Sequence, residues 1–339
     1  MKEQVPRMLL WSLDRTEPFI NQFGADSRPA RLALPKTGSV VTRINDVKVR
    51  LCRIDSGKFC ALAISSDPDR IKSKAIMERE VATVLAAAPS IEAASNRAEQ
   101  RARRLIHNLK SLTAKTNQEI FSVLQQDRLM DLNKDALPHI EQEASENIGE
   151  VAKAFLGILK NQAAQKAEFF AFEKITASPG TLRIESHSVH SVLMNAFYLF
   201  FGDFEGKKVK AHVGRSMQVA SFDYDSVHAC IYYLVENAVK YTRRNSSLNV
   251  SVSLDSIESK VDIRFDMESL TIHSNEVDRV FEEGFSGSHA IARGLHGAGI
   301  GLHQAREMAR LNGGELYLLP GRKLDGEYSK NTFTITLPA

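Results

Sequence analysis

Hydrophobic spacing divides the chain into three stretches. Up to about residue 68 the apolar positions fall in short β-like runs, Ser39–Thr42, Val47–Cys52 and Phe59–Ile64, separated by turn residues at Asn45-Asp46 and Asp55-Ser-Gly57. Such runs predict paired strands and a small β-rich module over 1–68. From Asp67 to about Asp131 the composition shifts to Ala, Glu, Arg, Lys and Leu, which predicts a helix interrupted near Pro89. A second helix is predicted from about Lys134 to Thr176, where Ile148, Val151, Phe155 and Ile158 recur at intervals of three and four, the seam of a coiled coil or bundle. A short loop around Asn133 makes the two a helical hairpin over 69–176. A hairpin buries little alone, so pairing with a second copy into a four-helix bundle, and hence a homodimer, is expected. From Ser178, with Pro179-Gly180 at the boundary, a mixed domain over 177–339 is predicted, with a helix through 187–201, a strand near 208–213, and Val261, Ile263 and Phe265 alternating onto one strand face. The fold class expected is α+β.

Composition narrows the function classes. A chain of 339 residues, 43% apolar and 25% charged, supports two or three domains with proper cores. A net charge of +3 does not point to nucleic acid, and the cluster Arg101, Arg103, Arg104 reads as a solvated helix face. Cys52, Cys60 and Cys230 lack C-x-x-C spacing and are odd in number, which argues against a disulfide framework or a zinc site and fits a reduced, cytoplasmic setting. The longest apolar stretch, Val192–Phe201, is short and contains Asn195, and the start has no signal-peptide pattern, so no membrane insertion is expected.

The chemistry concentrates near the C-terminus. Gly297-Ala-Gly-Ile-Gly301-Leu302 spaces three glycines so that backbone amides can approach phosphate oxygens, and a following helix would add its positive N-terminal end. Some sixty residues earlier, Glu236-Asn237-Ala-Val-Lys240-Tyr241-Thr242 offers a side-chain carbonyl for Mg2+ and a lysine for phosphate. Together with Val280–Ser286, Gly313-Gly314 and the closing Thr332–Pro338, these runs resemble, in order, the N box, F box, glycine box and last strand of the ATP-binding domain of sensor histidine kinases, the family shared with gyrase, Hsp90 and MutL. The resemblance implies an α/β sandwich that binds ATP and Mg2+, with Asn237 as the metal ligand. It places Lys240, Tyr241, Gly297, Gly299, Gly301 and Leu302 around the nucleotide and Arg293 and His296 in a mobile lid. Core packing for Tyr241, and solvation for Arg293 and His296, are the plain alternatives.

Two positions depart from the family. Its D-x-G-x-G, whose aspartate binds the adenine amino group, is replaced by Val261–Leu270, which contains Asp266 but no glycine; alternation places the expected aspartate at Met267. Either a bulge re-aims Asp266, or adenine is held differently, or binding is weak. Tyr233 stands at the head of the N box, where relatives that hydrolyse ATP carry a glutamate, so rapid hydrolysis lacks its base.

Upstream, Arg104–Thr113 resembles the phosphoacceptor H box, with His107 as acceptor and Leu109, Lys110 and Ser111 matching, while Asn108 replaces the acid and Leu112 the proline. An acceptor imidazole needs an exposed helical face and one free nitrogen. Asn108 orients by hydrogen bonding but cannot take a proton, so a carboxylate such as Glu119 or Asp127 would have to help. Ser111, one turn on, stands where the family positions a water for dephosphorylation. The resemblance thus implies a dimeric histidine kinase passing phosphate from His107 to a response-regulator receiver domain, with the β-rich module a sensor or a structural cap. The alternative is a regulatory or scaffolding protein whose degenerate pocket binds nucleotide without transfer.

Overall fold

The computed structural model describes residues 5–23, 37–44, 46–124, 137–176, 182–295 and 297–339. The chain divides into two units, Met1–Arg104 and Leu105–Ala339.

In the first unit, β1 (Arg7–Ser12), β2 (Ile20–Asn21), β3 (Gly38–Ile44), β4 (Val47–Ser56) and β5 (Phe59–Ser65) form an antiparallel sheet in the order β2-β1-β5-β4-β3. The three predicted strands are present. β1 pairs with β5 from Arg7 opposite Ile64 to Ser12 opposite Phe59, and its Leu9, Leu10 and Trp11 are buried. After α1 (Pro68–Lys72), capped by the Asp67 carboxylate, the long helix α2 spans Lys74–Val123. Its Met77, Val81, Leu85 and Ala88, one stripe at spacings of four and three, pack against Leu10, Cys52, Ala61 and Ala63 on one sheet face. The first unit therefore includes the start of α2, and the division between the two units falls inside this helix. The predicted interruption at Pro89 is absent: Pro89 lies within α2, which continues unbroken past it. A proline forfeits one backbone bond, and here the turn just before it is held against the sheet through Leu85 and Ala88.

The second unit opens with the end of α2, followed by α3 (Leu137–Glu146) and α4 (Ile148–Thr176). The loop expected at Asn133 and the boundary at Pro179-Gly180 lie outside the described residues. α4 buries Ala167 and Ala171 against the core of this unit, whereas Ile148 and Phe155 of the predicted seam are 76% and 63% exposed. The apolar face expected to meet a second copy is thus open in the single chain.

Next come β6 (Ile184–Ser188), α5 (Val189–Phe197), α6 (Phe201–Gly206), β7 (Lys210–Val213), β8 (Val219–Asp223), α7 (Tyr224–Tyr241), β9 (Ser247–Asp255), β10 (Lys260–Leu270), α8 (Ser288–Ala292), α9 (Gly301–Leu311), β11 (Glu315–Lys323) and β12 (Tyr328–Pro338). The helix expected over 187–201 is two helices, because the backbone tightens at its end, Leu199 and Phe200 donating to the carbonyls only three residues back. The main sheet runs β11-β12-β10-β9-β7, antiparallel except for the parallel pair β7 and β9. α5, α7 and α9 contribute Phe197, Leu234 and Met308 to one buried cluster with Ile263, Phe265 and Ile335 of the sheet. This is the α/β sandwich that the motifs implied. Among the described residues no helix is long and apolar enough to cross a membrane.

Phe265 is fully buried and its ring stacks on Phe197 with centroids 6.1 Å apart. Phe265→Ala is expected to lower the stability of the second unit by about 3–5 kcal/mol, read from urea unfolding by near-UV circular dichroism.

Candidate functional site

α7 owes its start to Asp223, whose carboxylate accepts from the Ser226 amide at 3.0 Å. Its position against α9 is set by Asn312, which accepts from the Asp223 amide at 2.7 Å and donates to Ser226 Oγ and the Met308 carbonyl. One side of α7 fills the core; its last turns bring Tyr233, Glu236, Asn237, Lys240 and Tyr241 to a cleft of about 420 Å3. The opposite wall is the turn from Gly297 to Leu302, the floor is β10 and β12 through Met267, Ser269 and Phe333, and Asn108, Lys115 and Glu168 of α2 and α4 close one side.

Within the cleft, Asn237 donates through Nδ2 to the Tyr233 carbonyl at 2.8 Å, which fixes the amide and leaves Oδ1 as the atom able to meet a cation. A Cβ at Gly301 would stand 3.1 Å from that Nδ2, and one at Gly297 would stand 3.0 Å from Lys240 Nζ. The lysine ammonium and the asparagine amide thus lie directly against the glycine turn. Ile300 gives α9 no side-chain cap, so the first amides of this eleven-residue helix are available to an anion. Burial holds the Lys240 ammonium below its ordinary value, with Glu236 opposing the effect. An anion placed there would regain the solvation the ammonium has lost.

The three glycines are not equivalent. Gly299 has φ +67°, and a Cβ on it would stand 2.5 Å from the Phe285 carbonyl oxygen and 2.6 Å from the Gly284 carbonyl carbon. Its own carbonyl accepts from the Gly284 amide at 3.0 Å. Gly299 is thus demanded by backbone packing and not only by the approach of an anion.

The remaining site residues divide. Tyr241 lines the cleft and its hydroxyl donates to the Leu295 carbonyl at 3.4 Å. Asp266 does not reach it: β10 pairs without a break in register from Lys260 to Leu270, so no bulge re-aims the carboxylate, which instead accepts from Thr332 Oγ1 on the opposite sheet face. Arg293 is drawn to Glu327 and the Tyr328 hydroxyl on the β11–β12 hairpin, away from the cleft lining. His296 lies outside the described residues. On α2, Asn108 lines the cleft, whereas His107 and Ser111 are exposed and outside its lining. Of the carboxylates expected to help the histidine, Glu119 packs against Gly157 of α4 and Asp127 is outside the described residues.

Sequence reasoning missed Glu236 as a site residue. Its side chain is open to solvent at the cleft but ringed by protein; burial pushes its carboxyl up, Glu168 adds to this, and Lys240 and Lys115 pull it back. The signal was its place one residue before Asn237 and one turn before Lys240. Tyr233, noted only for lacking a carboxylate, is 4% exposed, and burial, with the Glu168 and Glu236 carboxylates nearby, raises its phenol well above the usual range. Mg2+ prefers oxygen ligands and keeps phosphate or water oxygens on most positions. Asn237 Oδ1 beside the glycine turn fits that use.

Residues 222–339 match the family model described as histidine kinase-, DNA gyrase B- and HSP90-like ATPase. Among curated proteins the chain is 26% identical over 113 residues to the sensor histidine kinase WalK of Bacillus subtilis, covering 33% of this chain and 18% of that one. It is 21% identical over 216 residues to the sensor protein KdpD of Clostridium acetobutylicum, covering 63% and 22%. The chain thus spans about a fifth of the length of these relatives. Similar solved structures include full-length ShkA in complex with AMPPNP, at 15% identity, TM-score 0.45 and coverage of 71% of this chain and 45% of that one. The mycobacterial sensor histidine kinase MprB is similar at 15% identity, TM-score 0.40 and coverage of 46% and 97%.

Gly299→Ala is expected to lower the melting temperature, at a cost of roughly 1–3 kcal/mol or more from the backbone region and the close approach. Gly297→Ala, meeting only the movable end of Lys240, should leave the melting temperature nearly unchanged; thermal melts of both variants check the difference.

Proposed function

We propose that this chain, whose C-terminal segment is a domain of the histidine kinase-, DNA gyrase B- and HSP90-like ATPase family, binds ATP with Mg2+ and transfers the γ-phosphoryl group to His107. The observation that carries the reading is the meeting, in one cleft, of Asn237, Lys240, the glycine turn and the uncapped start of α9, with Asn108, the neighbour of His107, on its wall. Lys240 and the α9 amides hold the phosphates, and Asn237 Oδ1 holds the metal, which neutralises charge on the phosphate oxygens when bound.

Transfer asks little covalent chemistry of the protein. One imidazole nitrogen of His107 forms the bond to phosphorus, the bond to the ADP oxygen breaks with its electrons, and the proton on the other nitrogen must leave. Asn108 cannot accept that proton. Glu236, a carboxylate of the cleft lining whose carboxyl burial pushes up, is assigned that proton in this reading. His107 is outside the cleft lining, so transfer requires the end of α2 to turn or a second protomer to present its own histidine. The homodimer, closed over the open face of Ile148 and Phe155, supplies the latter route. The phosphoryl group then passes to an aspartate of a response-regulator receiver domain.

A second reading, a nucleotide-binding regulator without transfer, is favoured by the absence of His107 from the cleft lining and by the turned-away Asp266. Incubation with γ-labelled ATP separates the two. An acid-labile, alkali-stable label lost in His107→Ala supports the kinase, and equal labelling of both proteins removes His107 as acceptor. Asn237→Ala is expected to weaken Mg2+-ATP binding about tenfold or more by calorimetry, an effect of about 1.4 kcal/mol or more.

A further inference from the structure

The helical side of the cleft carries a cation of its own. Asn108 and Lys115 of α2 both line the cleft, and residues seven apart stand on nearly one face of a helix, about 10 Å from each other along its axis. His107, the residue before Asn108, is turned about 100° from that face and lies outside the lining. Lys115 is exposed, and its ammonium forms no ion pair among the described residues. The lysines of α4 differ: Lys153 pairs with Glu150 at 2.8 Å, Lys160 with Asp203, Lys166 with Asp225 at 2.6 Å and Lys174 with Asp223 at 4.0 Å.

The charged side chains of the lining are two cations and two carboxylates, Lys240, Lys115, Glu236 and Glu168. Glu236 feels both cations, each pulling its carboxyl down against burial. They approach it from different elements, Lys240 from the next turn of α7 and Lys115 from α2. Lys240 already belongs to the glycine turn, where a Cβ at Gly297 would meet its ammonium. An anion longer than that turn can hold extends past Glu236 toward the helical wall, and there Glu236 and Glu168 oppose its charge. Lys115 is the cation of the lining on that wall, and its flexible four-carbon stem lets the ammonium follow a phosphoryl group.

We propose that Lys115 binds the terminal phosphoryl group of a triphosphate whose inner phosphates rest on the glycine turn, so that α2 distinguishes a nucleotide with three phosphates from one with two. The inference rests on the nucleotide-binding reading above. A triphosphate then bridges α2 and the glycine turn, held by Lys115 at one end and by Lys240 at the other, whereas a diphosphate stops short of the helix. Residues 107 and 115 are about 12 Å apart along the axis of α2, so a terminal phosphate on Lys115 is kept from the histidine of its own chain. The plain alternative is that Lys115 only balances Glu236 and Glu168, in which case it favours any anion in the cleft whatever its length.

The test compares AMPPNP, whose imido link keeps a third phosphoryl group in place, with ADP by calorimetry on the full chain with Mg2+. The unaltered protein is expected to bind AMPPNP the tighter, Lys115→Ala to weaken AMPPNP about tenfold and ADP less than about twofold, and Lys115→Arg to retain most of the preference. Lys153→Ala removes the same charge from an exposed position outside the lining and is expected to leave both affinities in place. Equal weakening of both nucleotides in Lys115→Ala makes Lys115 a charge balance and overturns the proposal, as does an unchanged AMPPNP affinity. The same selective loss in Lys153→Ala overturns it too, since net charge alone would then account for the effect. Those three results leave nucleotide binding standing, whereas binding of neither nucleotide by the unaltered protein removes that reading and this inference together. Should Lys115→Ala fail to fold, Lys115→Gln decides by the same ratio.

Discussion

Everything at the phosphate end of the cleft depends on two stretches of backbone lying against each other with no side chain between them. Gly299, in the left-handed region, presses on the Gly284–Phe285 backbone and exchanges a hydrogen bond with it. That contact sets where the chain turns and hence where α9 begins. Because α9 begins at Gly301, its unpaired amides open beside Asn237, and Gly297 is delivered to the ammonium of Lys240. Shifting the turn would separate the cation, the metal-ligand candidate and the helix dipole, whose effects on an anion are useful only together.

The two ends of the cleft use different physics. The glycine turn is electropositive, with a lysine partly stripped of water and the uncapped backbone donors at the start of α9. The sheet floor is neutral, lined by the Ser269 and Thr271 hydroxyls and by apolar side chains such as Met267 and Phe333. A third wall, Asn108, Lys115 and Glu168 from the helices, couples to the first through Glu236, whose carboxyl responds to Lys115 and Glu168 as well as to Lys240.

The ordered motifs made much of the second unit legible. Asn237, Lys240, Tyr241 and the glycine turn converge as their spacing implied, because a helix places residues three and four apart on one face and a glycine turn ahead of a helix has few alternative uses. The strand pattern also located β10 correctly, and its unbroken register is what removed Asp266 from the site. Less visible were groups whose role depends on a partner far along the chain. The environment of Glu236 was set only when Lys115 and Glu168 came beside it in the folded chain. Pro89 was misleading for the same reason: a local breaker was overruled by a stripe packed on a distant sheet.

What the amino-acid order by itself determined was therefore periodic or local: the strands of the first module, the helical composition of its neighbour, the sandwich with its last strand, and the side chains carried by α7 and the glycine turn. Tertiary structure decided which glycine is demanded by packing, which face of β10 looks into the cleft, and that Asn108 and not His107 stands at its edge. The physical reason is that conformational preference and helix spacing act over a few residues. Burial, desolvation and the pairing of hydrogen-bond donors with acceptors are settled only when segments distant in sequence meet.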